Sequence, residues 1–194
     1  MKHYGNIANA NSNIAIKNTL SEEIIMIKTI RLLTSFAFAM LATNTYAESA
    51  SVTEKVDIAA SPAAVWAASK DFGNIQSWHP AFVGSTNTNG NHPGSVRVLD
   101  LGGPTITEEL VRFNDENTNF TYKITEVDPA VLPIENYISW YAVRSDGKGG
   151  SSVIWMGNFN TINGAAAADV EKGVSGVYRG GLDNLKAMLE TPAE

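Results

Sequence analysis

His79 and Glu109 are the two side chains with which this chain could move a proton. An imidazole titrates near neutral pH, and a carboxyl taken out of water is pushed up toward the range of a general acid or base. Little else in the sequence accompanies them. There is no cysteine and there are only three histidines, which excludes cysteine-built zinc sites and iron–sulfur clusters and argues against a His-rich metal site. No metal and no cofactor is expected. Gly102-Gly103-Pro104 is too short to cradle a phosphate and reads as a mobile loop. His92, within Asn91-His92-Pro93-Gly94, reads as an exposed turn residue, and Asp115-Glu116 as a hairpin turn. Two readings of the pair stay open. Either His79 and Glu109 transfer protons, or they only bind each other or an ordered water and shape the mouth of a cavity.

The elements that would position them follow from pattern and punctuation. A strand runs from Ser51 to Ile58, and Ser61-Pro62-Ala63-Ala64-Val65-Trp66 supplies a capping hydroxyl and a proline at the first helical position. A second short helix is expected over Gly73–Trp78, ending before Pro80. Alternating runs then follow, parted by Asn89-Gly90, Gly102-Gly103-Pro104, Asn114-Asp115 and Asp146–Gly150, which favours one antiparallel sheet. Val170, Val174, Val177, Tyr178, Gly181, Leu182, Leu185 and Leu189 keep a helical period over about five turns, with Pro192 beyond its end. The order is strand, two helices, about six strands and one long helix. That is an α+β arrangement in which the helix covers the apolar face of the sheet. The long helix also holds Gly173, Gly176, Gly180 and Gly181, each costing about 1 kcal/mol relative to alanine. Close packing on the sheet or room left for a ligand would each explain them.

The N-terminal part reads differently. From Met26 come Lys28 and Arg31, an apolar run Leu32–Leu41, then Thr45-Tyr46-Ala47. These are the three parts of a secretory signal peptide, with cleavage expected after Ala47 and a periplasmic or secreted product. The run is too short to cross a membrane, and a buried core helix is the bland alternative. Either Met26 is the true initiator and residues 1–25 come from an upstream start chosen in error, or they are a disordered extension; Glu22-Glu23 can be encoded by GAGGAG, a ribosome-binding sequence ahead of the Met26 codon. Residues 48–194 are left as one domain with one core. Of 20 acidic and 14 basic residues, Glu22, Glu23, Lys2, Lys17, Lys28 and Arg31 precede it, so the domain carries a formal charge of −8. Such a surface argues against nucleic acid and anionic lipid as partners, and no stable membrane insertion is expected after cleavage.

Several segments in this order resemble the polyketide cyclase/dehydrase and lipid-transport group of the START/Bet v 1-like (SRPBCC) superfamily. They are Ser61–Trp66, Trp78-His79-Pro80, Thr107-Glu108-Glu109-Leu110, Leu132–Tyr137, Val153-Ile154-Trp155 and Gly181–Leu185. The resemblance spans nearly all of 51–190. It implies a helix-grip fold, a seven-stranded antiparallel sheet wrapped around the long C-terminal helix, with a cavity between them. By comparison with the plant abscisic-acid receptors of that group, Gly102, Gly103 and Pro104 stand in a gate loop and Leu132, Pro133 and Ile134 in a latch loop. Glu109, Tyr122, Tyr137 and Ser139 would face the cavity, and His79 stands where those receptors carry a carboxylate-binding lysine. Trp78, Phe82, Trp155, Phe159, Val177 and Gly181 complete the expected ligand-binding set.

Strand alternation gives an independent check. Phe120, Tyr122 and Ile124 share one face against Thr121, Lys123 and Thr125, so polarity alone turns Tyr122 inward. Val153, Trp155 and Phe159 share another, with Gly157 between the last two. From Ile134 to Val143 both faces are apolar. The resemblance there turns Tyr137, Ser139 and Tyr141 inward and leaves Ile138 and Trp140 outside, joined by Ile154 and Met156. That apolar patch is either a protein-contact surface or is covered by a loop or helix.

Three functions fit. The chain could be a periplasmic binding or carrier protein for a hydrophobic small molecule. It could be an accessory protein acting through the patch, as exported members of the family include the methanol-oxidation protein MxaD, to which it is similar in size and export. It could be a cyclase-type enzyme using Glu109 and His79.

Overall fold

The computed structural model describes residues 47–191. The extension 1–25, the expected leader apart from Ala47, and Pro192 lie outside them. The order of elements is β1 (Ser49–Ile58), α1 (Pro62–Ser69), a 3-10 turn (Ile75–Ser77), β2 (Gly84–Asn87), β3 (Val96–Asp100), β4 (Thr105–Asn114), β5 (Asn119–Val127), β6 (Ile134–Ser145), β7 (Ser151–Thr161) and α2 (Ala167–Glu190). The second helix expected over Gly73–Trp78 is only that single turn. Pro80 disfavours a helical conformation at His79, so no second turn can follow.

The strands form one antiparallel sheet in the order β1-β7-β6-β5-β4-β3-β2. With α2 on its inner face, this is the helix-grip architecture. In β1 the inward residues are Ala50, Val52, Val56 and Ile58, all buried. Between them Glu54 reaches α2, where it pairs with Arg179 and accepts a hydrogen bond from Ser175. The free edge of β1 is also closed by α2. Glu171 and Glu190 accept the N–H groups of Ser51 and Ala59, while Arg179 and Lys186 donate to the carbonyls of Lys55 and Asp57. An edge satisfied in this way offers little to a foreign strand.

Helix α2 buries Val170, Val174, Tyr178, Leu182 and Leu185, a stripe at four-residue spacing broken once by a three-residue step. Each contributes roughly 1.5–3 kcal/mol of burial, which together outweighs four glycines at about 1 kcal/mol each. Helix α1 starts as its sequence directs, with Ser61 Oγ accepting from Ala64 N–H at 3.3 Å. It closes one end of the sheet through Trp66, which stacks on Phe113 and donates from Nε1 to Asp115 at 2.6 Å.

Bulges decide which side chains face inward. On β6 the register slips between Glu135 and Ile138, where Asn136 takes φ 55°. Counting by twos from Ile134 would bring Asn136 and Ile138 inward. After the slip, Tyr137, Ser139, Tyr141 and Val143 are buried instead. On β4 a second slip between Leu110 and Arg112 leaves Val111 as the extra residue and keeps Phe113 against Trp66.

Candidate ligand cavity

A cavity of about 260 Å³ lies between the inner face of the sheet and α2. Its wall is apolar on most sides: Ile75, Phe82, Leu99, Ile106, Ile124, Val131, Leu132, Val174 and Val177. Gly173 and Val177 of α2, together with Val131 between β5 and β6, are the exposed lining residues. The polar lining is confined to Arg97, Glu108, three tyrosines and Trp155.

Arg97 on β3 and Glu108 on β4 are cross-strand neighbours, both almost wholly buried. Arg97 Nε donates to Glu108 Oε2 at 2.6 Å and Nη1 to the carbonyl of Phe72 at 2.8 Å. The guanidinium lies 4.0 Å from the centroid of the Phe72 ring and 5.1 Å from that of Tyr122. Burial raises the Glu108 carboxyl above the usual carboxylate range, and the guanidinium beside it works in the opposite direction.

The second polar group is a hydroxyl chain. Trp155 Nε1 lies 3.0 Å from both Tyr122 Oη and Ser139 Oγ. Tyr122 Oη meets Tyr137 Oη at 3.3 Å, Tyr137 meets Tyr178, and Tyr178 meets Ser139 at 3.3 Å. Ser139 in turn donates to the carbonyl of Met156 at 2.7 Å. The Trp155 and Tyr178 rings stack at 4.3 Å and 7°. Burial pushes the Tyr122 phenol up to about 12 and those of Tyr137 and Tyr178 well above their ordinary value, so all three stay protonated at neutral pH. A Cβ on Gly157 would strike the Tyr178 hydroxyl, which explains the glycine between Trp155 and Phe159.

The expected proton-transfer pair does not form. Glu109 points to the outer face, where its carboxylate lies 3.0 Å from Lys123 Nζ. Glu108 takes the inward place because Ile106, Glu108 and Leu110 share one parity. His79 lies under α2. Its Nε2 is 2.9 Å from the Val177 carbonyl and its Nδ1 accepts from Ala81 N–H, which places the proton on Nε2. Burial lowers its pKa to about 4, so it is neutral at pH 7. A Cβ on Gly181 would fall on the imidazole, so this glycine serves close packing. Gly173, Gly176 and Gly180 face open space, and of these Gly173 lines the cavity.

Of the expected ligand-binding set, Phe82, Tyr122, Tyr137, Trp155 and Val177 line the cavity. Trp78, His79, Ser139, Phe159 and Gly181 stand behind them: Trp78 packs on Trp155 at 5.8 Å, and Phe159 stacks on Tyr137 at 6.2 Å. Leu132 of the expected latch loop lines the cavity, whereas Ile134 is buried and Pro133 half-buried. Gly102, Gly103 and Pro104 are exposed in a turn held by Asp100 Oδ1, and Gly103 and Pro104 border Val131 in a separate surface depression. Ile138, Trp140, Ile154 and Met156 occupy the outer face, Ile138 exposed and the others half-buried, with the Arg144 guanidinium 5.4 Å from the Trp140 ring.

Sequence reasoning overlooked three of the polar lining residues, Arg97, Glu108 and Tyr178. Glu108 was legible from its alternation with Ile106 and Leu110, and Tyr178 from its place four residues after Val174. Arg97 was not, because Val96 and Val98 beside it are the apolar pair and polarity points the wrong way. Among the described residues, no group of three or more His, Asp or Glu side chains could hold a metal ion, and no helix is long and apolar enough to cross a membrane.

Residues 49–190 match the family described as polyketide cyclase/dehydrase and lipid transport. The chain belongs to that family. No curated protein matches it. Among solved structures, this family member is similar to the protein XoxI of Bacillus cereus, with 29% identity over 72% of this chain and 95% of that one and a TM-score of 0.66. It is similar to an uncharacterised protein of Bacillus thuringiensis at 29% identity, covering 73% of this chain and 100% of the other, TM-score 0.66. A Thermobifida fusca protein matches at 26% identity over 74% and 97%, TM-score 0.64.

Proposed function

We propose that the chain is an exported binding or carrier protein that holds a small hydrophobic molecule between the sheet and α2. The observation that carries this reading is the apolar cavity of about 260 Å³, just below the roughly 300–1,000 Å³ common for ligand pockets. Membership of a lipid-transport family supports it. The polar groups in the wall are bonded to one another, and no nucleophile with an adjacent base is among them. An apolar fluorophore should bind the full chain saturably at one site, and Val174→Trp, which fills the cavity from α2, should abolish uptake. Unchanged uptake by that variant would contradict the proposal.

Export is supported by Lys28 and Arg31 ahead of the apolar run and by Thr45-Tyr46-Ala47 after it. Sequencing of the chain from its own cells should begin at Glu48 in a periplasmic or secreted fraction; a start at Met1 or Met26 would oppose it. The outer patch, with Ile138 43% exposed beside Trp140, Ile154 and Met156, favours a second reading. In it the chain is an accessory protein of an exported oxidation system of the MxaD type. Ile138→Lys should then weaken partner capture and leave fluorophore uptake intact.

A further inference from the structure

The polar groups in the cavity wall restrict what a ligand can carry at its buried end, and the restriction rests on the reading of the cavity as a binding site. Arg97 meets Glu108 through one Nε–Oε2 bond rather than the closed, two-bond fork that guanidinium and carboxylate commonly form. Nη1 is committed to the Phe72 carbonyl. Arg97 Nη2 and Glu108 Oε1 have no hydrogen bond among the described residues, although both side chains line the cavity. One strong donor and one strong acceptor are therefore left at the same wall.

The hydroxyl chain supplies no further donor. Its ends are fixed, because Trp155 Nε1–H can only donate and the Met156 carbonyl can only accept. The direction that leaves no proton unused runs from Trp155 to Tyr122, Tyr137, Tyr178, Ser139 and then Met156. Each hydroxyl gives its one proton to the next oxygen, and Ser139, which also lies 3.0 Å from Trp155 Nε1, accepts from both sides, so the chain presents only lone pairs to a ligand. The charges at the wall also cancel. An anionic head would meet the Glu108 carboxylate beside a guanidinium whose charge that carboxylate already balances, and a cationic head would meet the guanidinium.

We propose that the cavity selects neutral apolar molecules ending in a hydroxyl group, which donates to Glu108 Oε1 while accepting from Arg97 Nη2. A hydroxyl satisfies both atoms. An ether or carbonyl oxygen satisfies only the donor, and a hydrocarbon satisfies neither.

Calorimetry on the full chain with naphthalene, 2-methoxynaphthalene, 2-naphthol and 2-naphthoate tests this, since the four share one bicyclic body. The expected result is 2-naphthol bound about tenfold more tightly than the ether or the hydrocarbon, the effect of one or two hydrogen bonds to charged partners. The carboxylate should bind most weakly. In the paired variant Arg97→Met/Glu108→Leu, which removes both charges together, the preference for 2-naphthol should vanish while naphthalene still binds. If that variant does not fold, the ranking on the unaltered chain decides alone. Equal affinities across the series, or 2-naphthoate bound best, would overturn the hydroxyl rule and leave the cavity a binding site. No binding of any of the four would overturn both.

Discussion

Glu108 and Glu109 are neighbours on β4, and Gly180 and Gly181 are neighbours on α2, yet each pair is split between the inside and the outside of the protein. Glu108 is 4% exposed and locked to Arg97, whereas Glu109 sits on the outer face beside Lys123. Gly181 lies under the His79 ring, whereas Gly180 meets nothing within 4 Å. Residue type is identical within each pair. What differs is the solvent each side chain has lost and the neighbours that replaced it, and this decides whether a residue is structural, cavity-forming or dispensable.

The widest gap is expected between the two glutamates. Glu108→Gln strands the Arg97 charge in the core and should cost about 3–5 kcal/mol. Glu109→Gln removes an exposed ion pair and should cost no more than about 0.5 kcal/mol. Urea unfolding of both variants checks this, and comparable losses would erase the distinction.

His79 extends the inside half of the comparison to pH. Its pKa is about 4 in the fold against 6.5 free, so the unfolded chain binds the extra proton between those values. Stability from this group is complete above pH 6.5 and falls as pH drops toward 4, by about 3 kcal/mol in all. Subtracting the urea-midpoint profile of His79→Gln, in which every other titratable group behaves as before, should isolate that slope. Parallel profiles would place the imidazole in water.

The glycines should give the smallest effects, of opposite sign. Gly181→Ala forces a methyl group onto the imidazole and should cost about 1–3 kcal/mol. Gly180→Ala adds a methyl group in open space and should stabilise α2 by roughly 0.4–1 kcal/mol. Thermal melts that shift both variants the same way would contradict the assigned packing.

The elements were legible because their signals are local. Ser61-Pro62 opens α1, alternation marks β5 and β7, and the spacing of Val170, Val174, Tyr178, Leu182 and Leu185 marks α2. Inward residues were legible wherever alternation was unbroken, as at Phe120 and Tyr122 or Val153 and Trp155. They were obscured where a bulge or a cross-strand partner decides. The slip at Asn136 can be seen only against β7, and Arg97 is drawn inward by Glu108 on the next strand rather than by its own neighbours. The expected Glu109–His79 pair failed for a different reason: alternation with Ile106 and Leu110 already turns Glu108 inward, and the one-residue offset to Glu109 exchanges the two faces.

The central claim is that the space between the sheet and α2 is occupied by a small apolar molecule. Native mass spectrometry of the protein purified from its own cells tests it most directly. The account predicts a one-to-one adduct that releases a neutral, largely hydrocarbon compound on extraction. Recovery of the bare chain alone would contradict it.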